Sequence, residues 1–239
     1  MKLKFWEDKL QEFKKLMDIK EKQTSVQKQY LKKAEKSISY LRKIPWIQMV
    51  WVWNSLSMNC WNKNSDIDLL IVTKENRMWI ARIFSTIIFQ ILWIRKTSKK
   101  HAWRICLSFF CTKKWMNFWD FAIRNDIYLY FWIIYFKPIL DYNNTYNDFI
   151  ETNKNWACFD KYDSIIDNNK KYIKYTRHQE KYSSKLLSIL EKILKFLFIK
   201  KTIKNYNKLW QPYWIIINNT MLKFHNNDKR KQIKKELWL

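Results

Sequence analysis

Glycine is absent from all 239 residues, while tryptophan occurs 15 times. An ordinary globular composition, roughly 7 per cent glycine, would place about 17 in a chain this long. Turns with positive φ are normally left to glycine, because a β-carbon clashes there. A fold of this size does not easily avoid all such turns. The two counts together predict that many tryptophan letters stand for glycine. Some bacterial lineages read the UGA codon as glycine where other translation tables assign tryptophan, which would produce this exchange. Trp53, Trp61, Trp93, Trp103 and Trp214 fall at loops or element ends that suit glycine. Trp79 and Trp156 lie in apolar surroundings that suit an indole.

Cysteine and histidine are also scarce. Cys60, Cys106, Cys111 and Cys158 form no C-x-x-C pair, and the three histidines are far apart. Zinc-ligand spacing is therefore missing, which argues against a His/Cys metal site and for reduced thiols. The first residues, Met1 to Glu7, are charged and helix-like, without the apolar stretch of a signal peptide. A cytoplasmic protein is the expectation.

What the chain has in excess is positive charge, +25 at neutral pH with a pI near 9.8. That balance suits polyanionic partners such as nucleotides, nucleic acid or an anionic membrane face. Lys, Asn, Ile, Tyr and Phe are all written with A- and T-rich codons, so a nucleotide bias is a second source of the same charge.

Residues 1–43 are rich in Lys, Glu and Gln, with Leu10, Phe13, Leu16 and Met17 at helical spacing. They read as amphipathic helices that pack on a central domain. That domain spans 44–150, and a mainly helical region over 151–239 completes the expected organisation. In the centre, Ile47 to Val52 suits a buried strand, and 53–65 a loop or a turn into a helix. Asp66 to Thr73 alternates as a strand, with Ile67, Leu69 and Ile71 on one side and Asp66, Asp68 and Leu70 on the other. Residues 77–95 are the strongest apolar segment. Arg82, Gln90 and Arg95 interrupt or close it, so it reads as a buried helix crossing a sheet, with a membrane-associated helix as the weaker alternative. Residues 104–110 read as another strand, 126–137 as an apolar helix ending at Pro138. A helix over 183–199 and a short strand or hairpin near 213–217 complete the pattern.

Asp66 and Asp68 carry the chemistry. Carboxylates at i and i+2 of a strand project to one side, about 7 Å apart along the backbone. Such a pair can share Mg²⁺, which takes hard oxygen ligands and keeps waters. The stretch from Val50 to Val72 adds a preceding strand, a bend at Trp53-Asn54-Ser55, an eleven-position step to Asp66, and Ser65-Asp66-Ile67-Asp68 entering an apolar strand. This arrangement resembles the signature of the nucleotidyltransferase superfamily with the DNA polymerase beta palm. With glycine read at Trp53 the bend becomes Gly-Asn-Ser. The family motif has Gly and Ser adjacent, so Asn54 is a departure. The segments 104–110, 126–131, 136–140 and 221–230 are similar to those of uncharacterised bacterial nucleotidyltransferase-domain proteins.

The resemblance implies an α/β (α+β) palm with a mixed sheet, flanked by N- and C-terminal helices. It implies an enzyme that moves a nucleoside monophosphate from an NTP to an acceptor hydroxyl, on a nucleic acid or a protein. Asp66 and Asp68 would bind a pair of Mg²⁺ ions, and Trp53, Asn54, Ser55 and Ser65 the triphosphate. A true indole at Trp53 would fill the phosphate position. Members of the superfamily often draw a third carboxylate from a later strand. Residues 104–110 contain none, leaving Cys106 or Ser108 at that place and Asp120 and Asp126 downstream as helix-cap acids. His225, Asp228, Arg230, Tyr128, Tyr130 and Lys63 are further substrate-contact candidates; their ordinary readings are ion pairs on a surface helix for the first three, core or rim aromatics for the tyrosines, and a solvated amine for Lys63. A catalytically silent nucleotide- or RNA-binding protein of the same fold is the alternative, and stable membrane insertion is not expected.

Overall fold

The computed structural model describes residues 2–157, 163–177, 184–207, 215–224 and 229–238. Helices α1 (Lys2–Leu16) and α2 (Ser25–Leu41) open the chain, as the apolar spacing predicts. Thr24 and Gln27 start α2 with a reciprocal capping box, which satisfies two of the free amides of the first turn. Then come β1 (Ile47–Val52), the short α3 (Asn54–Ser57), β2 (Ile67–Thr73), α4 (Met78–Ile91), β3 (Ile105–Thr112), α5 (Ile127–Tyr135) and β4 (Lys137–Tyr142). The remainder holds α6 (Thr145–Ala157), α7 (Asp163–Lys170), β5 (Tyr175–Arg177), α8 (Lys185–Asn207), β6 (Ile216–Ile217), β7 (Met221–Lys223) and α9 (Arg230–Glu236).

Among the described residues the strands form one mixed sheet in the order β5-β4-β1-β2-β3-β7-β6. β2 lies antiparallel to β1 and parallel to β3, with α4 as the crossover between the parallel pair. The chain after residue 150 closes both edges, adding β5 beside β4 and the β6–β7 hairpin beside β3. Side chains alternate across the sheet. Trp51, Leu70, Val72 and Phe109 face a core built with α1, α5 and α6, whereas Val50, Val52, Leu69, Ile71 and Phe110 face one built with α2 and α4. Two buried layers explain why the central strands read as nearly continuous apolar runs.

Two expectations need adjustment. Within residues 77–95 only Met78–Ile91 is helix, lying on the sheet with one face buried. Met78, Trp79, Ala81 and Phe89 pack inward, while Phe84, Ile87 and Ile91 are exposed. No helix among the described residues is long and apolar enough to cross a membrane. The second adjustment is β4, since Pro138 on its own signals only a helix stop. Here β5 pairs from Leu140 onward, so no partner on that flank needs a donor from Pro138.

Helix ends expose the glycine deficit. After α4, the Trp93 amide bonds the Gln90 carbonyl and the Ile94 amide reaches Phe89, both at 3.1 Å, with Trp93 at φ 54°. This is a Schellman ending, whose left-handed position is ordinarily glycine. Asp18 and Asn59 fill the corresponding positions after α1 and α3. Short polar side chains tolerate that backbone, whereas an indole does not gain from it. Trp238, after α9, and Trp103 are also left-handed, at φ 55° and 63°. The Tyr30 ring is wedged between Trp61 and Trp103, with centroids only 3.7 and 3.6 Å away. Aromatic pairs ordinarily sit about 4.5–7 Å apart. Trp214 lies outside the described residues, as does the Trp156 side chain. Trp79 is a buried indole, as read from its surroundings.

Trp93 is 77% exposed, so replacing it removes little packing. Trp93→Gly is expected to raise unfolding free energy by about 1–2 kcal/mol, the cost of left-handed backbone for a residue with a β-carbon. Urea denaturation measures this, and equal or lower stability would contradict it.

Candidate functional site

At the C-terminal end of β1 the chain bends through Trp53, Asn54 and Ser55 into α3, directly beside the start of β2. The Trp53 amide bonds the Asp68 carbonyl at 3.2 Å, extending the ladder, and Trp53 is extended at φ −132°. Its indole turns into the core against Phe109, Trp132 and Phe136 and is fully buried. It therefore does not fill the bend. Both its side chain and its amide are directed away from a phosphate role, and its backbone does not demand glycine. The left-handed residue is Asn54, at φ 61°. Asparagine tolerates this region, and its side chain has a second task. Asn54 Nδ2 donates to Asp68 Oδ2 at 2.7 Å, in the interior. Asn54 thus orients one of the two acids.

Asp66 and Asp68 converge. One carboxylate oxygen of each and the Cys106 sulfur lie within 4.8 Å of one another. β3 delivers the thiol, because Cys106 stands opposite Asp68 in the parallel register. Lys96 arrives from the segment after α4, where its amide bonds the Ile105 carbonyl at 2.8 Å beside β3. The Lys96 amine then reaches Asp66 Oδ2 at 2.6 Å. Nothing in the sequence pairs Lys96 with Asp66, since their meeting depends on the α4 crossover.

Electrostatics mark Asp68 as the unusual acid. Burial, followed by the charge of Asp66, pushes its carboxyl up to about 6, against the partial relief given by Asn54, Lys96 and Cys106. Burial also raises the Cys106 thiol well above its ordinary range, with Asp68 adding to the rise. For Lys96, burial pulls downward, but Cys106, Asp66 and Asp68 together hold the amine above the usual lysine value. Among the described residues, Asp68 Oδ1, Asn54 Oδ1 and Ser108 Oγ are buried around this point without a nitrogen or oxygen partner, and Asp66 Oδ2 has only the Lys96 ion pair. Buried polar atoms are ordinarily satisfied, and such a group of orphaned acceptors calls for a cation or water.

The other candidates divide plainly. Ser55 is half-buried at the bend. The Ser65 hydroxyl is engaged with the Asn62 side chain at 3.2 Å, so it organises the loop. Lys63 is exposed. Asp120 lies in a 3-10 turn beside Asn117, and Asp126 caps α5 by accepting the Leu129 amide at 3.0 Å. Arg230 is no surface residue: it is buried, and it pairs with Asp126 at 2.7 Å. Tyr128 packs in the core against Phe13 and Trp132, and Tyr130 is half-buried against Phe131. His225 and Asp228 lie outside the described residues.

One neighbour of the bend was not legible in the sequence. Lys137 pairs with Val52 across β4 and β1, is buried, and donates its amine to the Ser57 carbonyl at the end of α3. Burial, aided by Lys171, lowers this amine to about 7.

Comparison of the chain with family models, with curated proteins and with solved structures finds no match.

Proposed function

We propose that this protein is a divalent-metal-dependent nucleotidyltransferase, moving a nucleoside monophosphate from an NTP to an acceptor hydroxyl on a nucleic acid or a protein. The observation that carries this reading is the convergence of Asp66 and Asp68 at one end of the sheet, beside the Asn54–Ser55 bend. Two carboxylates with orphaned buried oxygens around them fit a dication of the Mg²⁺ kind, and Asp66 and Asp68 are the residues that would hold the ion. A bound ion would supply charge neutralisation for the triphosphate and a more acidic acceptor hydroxyl. The chain's own part is positioning. Asn54 fixes the Asp68 carboxylate, Lys96 steadies Asp66, and Ser55 presents a hydroxyl at the bend. Phosphoryl-type transfer depends chiefly on such placement and charge stabilisation.

A nucleotide- or RNA-binding role without catalysis is the second reading. It is favoured by Cys106 standing where a third carboxylate would serve, and by the Lys96 amine already seated on Asp66. Incubation with α-labelled NTPs and an RNA or protein acceptor pool separates the two. The wild type should label an acceptor, and Asp66→Ala and Asp68→Ala should not. Equal labelling by all three, or none by any while all remain folded, removes the enzyme reading.

A further inference from the structure

The site differs from a pure oxygen cage in one donor. Cys106 is held opposite Asp68 by strand register, and its sulfur shares the 4.8 Å cluster with both carboxylates. Two donors on one tetrahedral zinc ion stand about 3.7 Å apart, given Zn–S and Zn–O distances near 2.3 and 2.2 Å. Side-chain rotation that closes the cluster by about 1 Å would bring all three onto a single ion. Asp68 beside the thiol is only 6% exposed, and its Oδ1 has no nitrogen or oxygen partner. Ser108, 8% exposed, sets its hydroxyl against the Cys106 sulfur, where it favours the thiolate.

We infer that Cys106 is the third protein ligand of the ion held by Asp66 and Asp68, so that the site selects a borderline transition-metal dication, zinc above all, over Mg²⁺. This rests on Asp66 and Asp68 being metal ligands, as in the proposed function. The reason is ligand softness. Mg²⁺ takes hard oxygen donors and holds its waters, whereas thiolate favours zinc and neighbouring metals. A coordinating thiol gives up its proton to solvent on binding, and the ion's charge offsets the two carboxylates. Lys96, joined to Asp66 through one oxygen, is the cation that the metal displaces. The absence of C-x-x-C or His spacing does not oppose such a site, since its donors come from two neighbouring strands rather than one motif.

Cobalt(II) titration of the metal-stripped full-length chain tests the inference without reference to activity. Thiolate coordination gives a near-ultraviolet charge-transfer band. The wild type should develop this band at one equivalent, and Cys106→Ser should lose it while equilibrium dialysis still detects cobalt bound through Asp66 and Asp68. Zinc affinity should fall by at least about 10- to 100-fold in Cys106→Ser, as expected when even supporting groups of a metal site are lost. Cys106→Asp should bring Mg²⁺ affinity up. Cobalt bound to the wild type without the band, or a band that survives Cys106→Ser, overturns Cys106 as ligand and leaves the carboxylate site standing. If the folded wild type binds no divalent ion, both the inference and the proposed function fail.

Discussion

Asp68→Asn is expected to stabilise the metal-free protein by about 2–3 kcal/mol near neutral pH and, under the proposed function, to lower nucleotidyl transfer about a thousandfold. The gain comes from burial. The Asp68 carboxyl is raised from 3.8 to about 6, and each tenfold change in proton affinity corresponds to about 1.4 kcal/mol. Because the folded value lies above the unfolded one, protonated Asp68 favours the folded state. That contribution is fully present below 3.8, fades as pH rises through the interval, and is gone above about 6. At neutral pH the ionised side chain thus opposes folding, and a neutral amide of the same shape relieves the opposition. Asn54 can still donate to the amide oxygen of the new side chain. The loss of activity comes from the same charge, since a carboxylate that anchors the ion supports several kcal/mol of transition-state stabilisation. Urea melts of both proteins at neutral and mildly acid pH give the stability half. Their midpoints should separate at neutral pH and merge near pH 4, within the interval over which Asp68 titrates. A variant that is less stable than wild type at neutral pH would show that the carboxylate is well satisfied, and the metal reading would lose its electrostatic basis.

Arg230→Ala is expected to cost about 3–5 kcal/mol of unfolding free energy, because it strands a buried carboxylate. The Arg230 and Asp126 side chains are 4% and 2% exposed and meet at 2.7 Å. Arg230 also donates to the Phe121 carbonyl at 2.9 Å, while Asp126 accepts the amides of Ile123 and Leu129 at 3.1 and 3.0 Å. This pair ties α9 to the start of α5, whose apolar residues line the core below Trp53. Burial raises the Asp126 carboxyl despite these partners, so the pair is one whose breakage costs far more than its presence contributes. Chemical denaturation of Arg230→Ala at neutral pH measures the loss. A change under about 1 kcal/mol, the range of exposed pairs, would contradict the burial described here.

The sequence showed most of what local pattern can show. The Ile47–Val52 and 66–73 strands, α4, β3 and the convergence of Asp66 with Asp68 all derive from period-2 or helical alternation and from i, i+2 geometry. Misreadings came where tertiary context decides. The Trp53 indole found a core place because α5 and β3 build a cavity of aromatic rings around it, which no local spacing announces. Asn54 looked like a flaw in a motif, yet its left-handed backbone and its bond to Asp68 connect residues 14 positions apart. Lys96 and Lys137 reach the site through a crossover and a strand pairing, so neither carries a sequence signal. The glycine deficit was legible as a count, but its location needed φ. Trp93, Trp103 and Trp238 sit in left-handed backbone, whereas Trp53 does not. Protein from the native source should weigh less than a chain with 15 tryptophans requires. Intact mass spectrometry measures it, and a mass equal to the tryptophan-rich chain ends the glycine reading.

The fate of the three phosphates is the most direct measurement of the chemistry. NTP labelled separately at the α and γ positions, incubated with the metal-loaded protein and an acceptor, should leave the α label on the acceptor. The γ label should appear in pyrophosphate, in equal amount. Transfer of the γ label, release of orthophosphate, or no consumption by a folded and metal-loaded protein would contradict a nucleotidyltransferase built on Asp66 and Asp68.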